Sequence, residues 1–485
     1  MNNDRILDYA IDYVSDTLSS SVGDDGLYAG DDKVNKRNEA ELCDLFEQVI
    51  GGGFFLVDEG EQLCVYSGTH FVRVDPDRLS YIIKKVMRRL GVGIVYQKNS
   101  CKMIADRCLE NLYAEGTQLF DPDRRYVIFN NCVLNVETGG VTEHSIEYRS
   151  DLYLPFDYKP EVTGGLWERI VRETIPDDGM RKAFQQYCGA FLLDRRKYKL
   201  EYICLMVGSG RNGKSVVCKA IADMFGKDLV SSYSPEQLFR SSQSEYNLAD
   251  IDGKVANYAD DVSNKDFSGG DFKQFISGAN FQARHIYGKP FTVTKVPLML
   301  CCVNEVPPTT DDTNGYFRRL LPIICPNIIR EEDVDVELPA KLATVGSRQC
   351  IFNWLYEGYK DLIAHGGVIT VSESIGVVRE EIKADSNSIR RWLRDCGERY
   401  GWISFKELMG EYLSACKEMG EPAKSPKSMV RVLKEITVRS EKRRDTTYYY
   451  FGEKPKAVVT EVNDDDDDDD DEPVVRERED GELPF

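Results

Sequence analysis

Two periods of apolar residues alternate along this chain, and each change of period marks an element. Leu79–Leu90, Leu166–Leu193 and Cys350–His365 repeat their apolar positions three and four apart, which predicts helices with one buried face. The second ends near Asp194, and Gly366-Gly367 stops the third. Leu63-Cys-Val-Tyr66 and Phe71-Val-Arg-Val74, set about Ser67-Gly68, predict a strand pair; Tyr126–Phe129 and Val133–Val136 predict another. In the middle of the chain a strand, Tyr202–Val207, gives way to a helix, Ser215–Phe225, and two more strands follow at Val255–Ala259 and Val296–Val303. The last of these is apolar throughout, as a central strand covered on both faces must be. Strands alternating with helices predict an α/β fold.

The residues that end those strands carry the chemistry. Between the first strand and its helix lie Gly208, Ser209, Gly210, Arg211, Asn212, Gly213, Lys214 and Ser215, a complete G-x-x-x-x-G-K-[ST] phosphate loop. Its glycines let backbone N–H groups turn inward round a nucleotide triphosphate, and the helix N-terminus adds partial positive charge. Lys214 is placed to reach the β- and γ-phosphates, and Ser215 to hold Mg²⁺. Asp260 and Asp261 follow the second strand. One suits the Mg²⁺ shell and the other the polarisation of an attacking water, so Ser215 and Asp260 form the candidate metal pair. Asn304 ends the third strand, where an amide can orient that water or sense the γ-phosphate, although a turn asparagine would look the same. Arg318 and Arg319 come next. Small-molecule kinases rarely need such a pair, whereas oligomeric ATPases use an arginine from a neighbouring subunit.

Charge narrows the picture further. The chain has 485 residues and a formal net charge of −20, but residues 464–485 hold thirteen acids and two arginines, −11 of that total. Any contact with nucleic acid therefore rests on local patches. One such patch is Lys424–Arg444, a basic stretch in a unit that reads as helices, a strand, a basic turn and the strand Thr446–Phe451. That order suits a winged helix whose turn, Arg443-Arg444, meets DNA phosphate. The fourteen cysteines form no C-x-x-C pair and there are four histidines, which disfavours a zinc site. Cys204, Cys218, Cys301 and Cys302 read as small hydrophobes in a reducing cytosol. No membrane-spanning run or signal peptide stands out, and the expected location is cytoplasmic.

These residues resemble the superfamily 3 helicases, and among them the phage and plasmid primase-helicase family related to the poxvirus primase-helicase. The resemblance rests on Gly210-Arg-Asn-Gly-Lys-Ser215, Gly270–Gly278, Ala283–Tyr287 with Lys289-Pro290, Val303–Pro307 and Phe317-Arg318-Arg319. Upstream it rests on Phe120–Asp123, Asn131–Leu134 and Leu154–Asp157. It implies an AAA+-type P-loop ATPase core assembled as a ring, with a homo-hexamer expected, using ATP and Mg²⁺. Lys214, Ser215, Asp260, Asp261 and Asn304 would act in cis, and Arg318 or Arg319 from the neighbour. A hairpin over Phe281–Thr294 would put Lys289 at its tip towards DNA, supported by Arg284 and Lys273. The first 40 residues show no primase pattern, so a helicase without primase activity is expected.

The expected organisation is a flexible segment over 1–40, with one short helical stretch near Ile6–Val14, then an α+β domain over 41–160. A helical connector over 161–200, the helicase core over 201–345 and a helical lid over 346–375 follow. A winged-helix-like domain over 376–452 and a disordered acidic tail over 453–485 complete it. The last residues, Leu483-Pro484-Phe485, resemble the acidic tips with which bacterial single-stranded-DNA-binding proteins recruit partners, so a polymerase, a primase or such a binding protein is the expected guest. The leading function is an ATP-driven helicase on single-stranded and forked DNA. A DNA-binding initiator or remodelling ATPase without sustained unwinding is the alternative, and a scaffold with a vestigial site is a third.

Overall fold

The computed structural model describes residues 3–22, 36–58, 62–90, 98–114, 124–260, 262, 270–286, 288, 290–306, 314–397, 399–420 and 422–452. They fall into two compact units that divide between Asn387 and Ser388.

The first unit contains three hydrophobic cores. Helices Asn3–Val22, Lys36–Ile50, Asp77–Arg89 and Lys98–Ala114 share one core with the antiparallel strands β1 (Phe55–Val57), β2 (Leu63–Tyr66) and β3 (Phe71–Arg73), paired in that order. Leu7, Ala10, Val14 and Leu18 are buried at helical spacing. The segment expected to be flexible over 1–40 therefore opens with a packed helix over Asn3–Val22. Strand β1, which starts one residue beyond Gly51-Gly52-Gly53, escaped the sequence reading.

A second antiparallel sheet, β4 (Tyr126–Ile128), β5 (Val133–Asn135) and β6 (Val141–Thr142), packs elsewhere. Its Val127, Phe129, Leu134 and Val136 join Trp167, Phe184, Phe352 and Trp354 in the core under the central sheet. The stretch expected as one domain over 41–160 is thus divided between two cores. The helix expected over Leu166–Leu193 is also divided, into Gly165–Thr174 and Asp178–Gly189. Pro176 lacks the N–H a continuous helix would use, and the Asp177 carboxylate caps the second helix by accepting from Met180 N at 2.6 Å. That helix lies against Val345–Ala364 so closely that a Cβ at Gly358 would stand 2.2 Å from the Gln185 carbonyl oxygen.

The central sheet is parallel. Its strands are β7 (Ile203–Val207), β8 (Val230–Ser231) and β9 (Ala256–Ala259), then, after the antiparallel hairpin β10 (Phe281–Arg284) and β11 (Pro290–Val293), β12 (Leu298–Val303) and β13 (Leu320–Ile324). The spatial order is β13-β7-β12-β9-β8. Cys204, Met206, Leu300, Cys302, Leu321 and Ile323 face one core; Ile203, Leu205, Met299, Cys301, Val303 and Leu320 face the other. Burial on both faces explains the unbroken apolar run. Burial also holds the Cys204 and Cys218 thiols well above their ordinary value, so they stay neutral.

The second unit is helix Ser388–Asp395, β14 (Trp402–Ser404), helices Phe405–Met419 and Pro426–Ile436, then β15 (Arg439–Arg443) and β16 (Thr446–Tyr450). Ser404 and Ser425 cap the two later helices, accepting from Glu407 N and Ser428 N at 3.2 Å. The sheet order is β14-β16-β15, over a core of Ile389, Trp392, Leu408, Tyr412, Met429, Leu433 and Tyr449. The boundary expected at 376 falls inside helix Glu373–Asp385, which packs in the first unit: Ile375 is buried there and Arg379 Nε donates to Leu320 O at 2.6 Å. Among the described residues no helix is long and apolar enough to cross a membrane.

Candidate functional site

Strand register decides which groups meet. Val207 pairs with Val303 of β12 and with Ile324 of β13, so three neighbouring strands end level at their carboxyl ends. The loop Gly208–Gly213 leaves from that line and enters helix Lys214–Phe225, which no side chain caps. Its first N–H groups are thus available to an anion. Gly213 has φ +80°, and a Cβ there would meet Thr174 Oγ1 at 2.8 Å. Gly208 permits a close approach: a Cβ would lie 1.8 Å from Asn212 Nδ2 and 2.7 Å from the Cys325 carbonyl oxygen. The buried Asn212 donates from Nδ2 to Cys325 O at 3.1 Å, and Ile329 N donates to Arg211 O at 2.7 Å. The loop is therefore held to the end of β13.

Lys214, only 7% exposed, donates from Nζ to Gly208 O at 2.9 Å, Asn304 Oδ1 at 3.3 Å and Asn212 Oδ1 at 3.4 Å. Its acceptors among the described residues are neutral, which leaves the ammonium charge available to a phosphate. Ser215 Oγ donates to Asp260 Oδ1 at 2.8 Å. A hydroxyl and a carboxylate side by side suit a hard cation such as Mg²⁺, which keeps most of its shell for water and phosphate. No set of three His, Cys, Asp or Glu among the described residues forms an all-protein metal cage. Tyr258 reaches the Ser215 carbonyl at 3.5 Å, and burial, then Cys302, Cys218 and Asp260, keeps its phenol protonated. Lys214, Ser215, Asp260 and Asn304 thus converge; Asp261 lies outside the described residues. Thr174 and the Cys325 carbonyl were missed by the sequence reading. The first stands 39 residues upstream of Gly213, and the second acts through backbone, which leaves no compositional signal.

Arg318 and Arg319 stand elsewhere. They precede β13, whose Leu320 pairs with Ile203, so they sit at the amino end of the sheet, roughly 16 Å of strand away from the loop. Both pair with Glu201, at 3.3 and 3.1 Å. Arg319 also donates to Ser277 Oγ at 3.2 Å and is 15% exposed, whereas the Arg318 side chain is 66% exposed.

The residues expected to meet DNA are scattered. Arg284 Nε pairs with Glu245 at 2.9 Å and lies 5.4 Å from the Tyr246 ring, so it is committed to helix Ser244–Asp250. Lys273 is half-buried on helix Gly270–Ile276. Lys289, expected at the hairpin tip, lies outside the described residues, as does the whole tail from 453. Arg443 is exposed and donates to Glu441 Oε2 at 3.0 Å, and Arg444 turns the β15–β16 hairpin with φ +48°.

Comparison with known proteins finds two family matches along the chain. Residues 43–176 match the family described as "D5 N terminal like", and residues 206–319 match DUF5906, a family of unknown function. A D5 N-terminal-like segment followed by a DUF5906 segment is the architecture of the primase-helicase family, and this chain carries it. A curated relative, "Putative helicase L207/L206" of Acanthamoeba polyphaga mimivirus, is 26% identical over 249 residues, 49% of this chain. The match spans a quarter of that relative's length. Two apo structures of the NrS-1 C-terminal region superpose with TM-scores of 0.46 and 0.47 at 13% identity. They cover 84% of this chain and 99% and 98% of their own.

Proposed function

We propose that the chain is an ATP-driven DNA helicase of superfamily 3, whose AAA+-type P-loop core works as a ring, a homo-hexamer, on single-stranded DNA during replication. The carrying observation is the division of charged groups between the two ends of one parallel sheet. Lys214, Ser215, Asp260 and Asn304 converge at the carboxyl end, and Arg318 and Arg319 stand at the amino end. Such a division suits an oligomer in which each subunit completes its neighbour's site.

On this reading ATP enters over the loop, and Lys214 exchanges neutral oxygens for the β- and γ-phosphates. Ser215 and Asp260 hold Mg²⁺, which when bound neutralises charge on those phosphates. Asn304 and Asp261 position the attacking water. Arg318, the more exposed of the pair, reaches the neighbour's γ-phosphate while Arg319 stays with Glu201 and Ser277. Residues 201–345 then form the motor core and helix Val345–Ala364 its lid. The second unit is a winged helix, a reading supported by three helices followed by a basic hairpin. The acidic tail, through Leu483-Pro484-Phe485, recruits a replication partner.

The test is ATP hydrolysis by the full chain with and without single-stranded DNA, beside Lys214→Ala. DNA-stimulated hydrolysis that vanishes in the variant supports a translocating motor. Hydrolysis indifferent to DNA sinks that reading in favour of a remodelling ATPase, and strand displacement on a forked duplex separates the two.

A further inference from the structure

The outer face of the C-terminal sheet carries planar groups that the nucleotide site leaves unused. Along β16, Tyr449 points into the core, so Tyr448 and Tyr450 stand on the other side. Register sets Trp402 of β14 beside Tyr450, and Arg439 of β15 opposite it on the far flank. The Arg439 guanidinium lies 4.8 Å from the Tyr450 ring and 5.8 Å from Trp402. That of Arg443 lies 4.9 Å from Trp402 and 5.2 Å from Tyr448. Trp402 and Tyr450 are 5.2 Å apart, tilted by 44°. Three rings and two guanidinium planes therefore form one continuous layer with Trp402 at its centre. Glu441 sits between the arginines on β15 and accepts from Arg443 at 3.0 Å, fixing that guanidinium over the rings.

We infer that this layer is a stacking platform for the unpaired bases of single-stranded DNA. The chemistry selects that guest. A base offers a π-face to a ring or a guanidinium, and its phosphate offers charge to Arg439, Arg443 and the turn arginine Arg444. Bases in a duplex already stack on one another, so only an unpaired strand presents those faces. Charge agrees: residues 388–452 carry fourteen basic and nine acidic side chains, a net +5 in a chain of −20. The role differs from the phosphate contact first expected of the turn, because it places the bases themselves on the sheet. It rests on the reading of the chain as a motor that travels on single-stranded DNA.

Trp402 supplies its own reporter. Trp167, Trp354 and Trp392 are buried, while Trp402 is half-exposed. Titrating the full chain with oligo(dT) is expected to quench tryptophan emission, and Trp402→Phe is expected to abolish the quench while binding stays within about threefold, since a phenyl ring still stacks. Trp402→Ala combined with Tyr450→Ala is expected to weaken oligo(dT) binding at least about tenfold by fluorescence anisotropy. Equal quenching by a blunt duplex would overturn the platform in favour of a duplex contact. No quench, with DNA-stimulated hydrolysis intact, would overturn the platform and leave the motor standing. Neither binding nor stimulation by any DNA would overturn both.

Discussion

The two ends of the central sheet hold their cations in opposite ways. At the carboxyl end Lys214 is buried among carbonyl and amide oxygens, its acceptors among the described residues all neutral. At the amino end Arg318 and Arg319 share the carboxylate of Glu201. An ammonium held only by dipoles keeps its charge for an arriving phosphate; a guanidinium paired with a carboxylate is neutralised until something draws it away. The first arrangement suits a resident phosphate ligand, and the second suits a group kept in reserve for another surface.

The sharpest way to break that contrast is to remove one cation from each end. Lys214→Ala and Arg318→Ala should each lower ATP hydrolysis by about a thousandfold or more, the first through lost phosphate contact and the second with nucleotide binding retained. Mixing the two inactive proteins should restore part of the activity, because some subunit pairs then combine an intact loop with an intact neighbouring arginine. If hydrolysis in the mixture stays at the level of the separate variants, the arginine does not act across a subunit boundary.

A smaller effect concerns stability at the amino end. Asp252 is buried, one of its oxygens has no hydrogen-bond partner, and burial, opposed by Arg73, raises its carboxyl to about 6. A carboxyl raised on folding disfavours the folded state once ionised. The penalty is absent below the unfolded value near 3.8, grows as pH rises towards 6, and is complete above it. Asp252→Asn should therefore stabilise the protein at pH 7.5 by on the order of 2 kcal/mol and by far less at pH 4.5. Chemical denaturation at the two pH values checks it; equal gains at both would mean that the raised carboxyl is not the cause.

Much of the carboxyl end was legible in the sequence because each candidate group follows directly on a buried strand: the glycine loop from Gly208 after β7, Asp260 after β9, Asn304 after β12. The helix before Gly366 was legible from a change of period at a glycine, whereas the hairpin β10–β11 was expected only from the family resemblance. What stayed hidden depends on long-range packing. Nothing local distinguishes Val127 and Phe129, which join the central core, from Val65 and Phe71, which join the N-terminal one. Glu201 reads as one acid before a strand, and its tie to Arg318 and Arg319 appears only when β13 is set against β7. The Trp402, Tyr448 and Tyr450 layer likewise needs the pairing of β14 and β15 with β16.

A side-chain change behind the loop sharpens the carboxyl end further. Asn212→Ala removes the donor to Cys325 O and leaves that buried carbonyl short of a partner, a loss of about 1 kcal/mol. It also removes one of the three acceptors of Lys214. Nucleotide affinity should fall about fivefold, with hydrolysis at saturating ATP reduced less, measured by titration with a fluorescent ATP analogue. Unchanged affinity would mean that the loop holds its shape without the amide.

Glu201→Gln is expected to do least, and that small effect tests the meaning of the pairing. Glu201 is partly exposed, and solvent screens a pair of that kind to within about 1 kcal/mol. The amide keeps a hydrogen bond to Arg319, which Ser277 also holds, while Arg318 is already largely in solvent. Thermal stability should shift by no more than a few degrees, and ATP hydrolysis should stay within about threefold of the parent, since the carboxylate touches no nucleotide. If Glu201→Gln instead abolished hydrolysis as fully as Arg318→Ala, the carboxylate would be orienting the guanidinium at the moment of reaction. The amino end would then be a positioned pair, and no longer a reserve waiting to be drawn away.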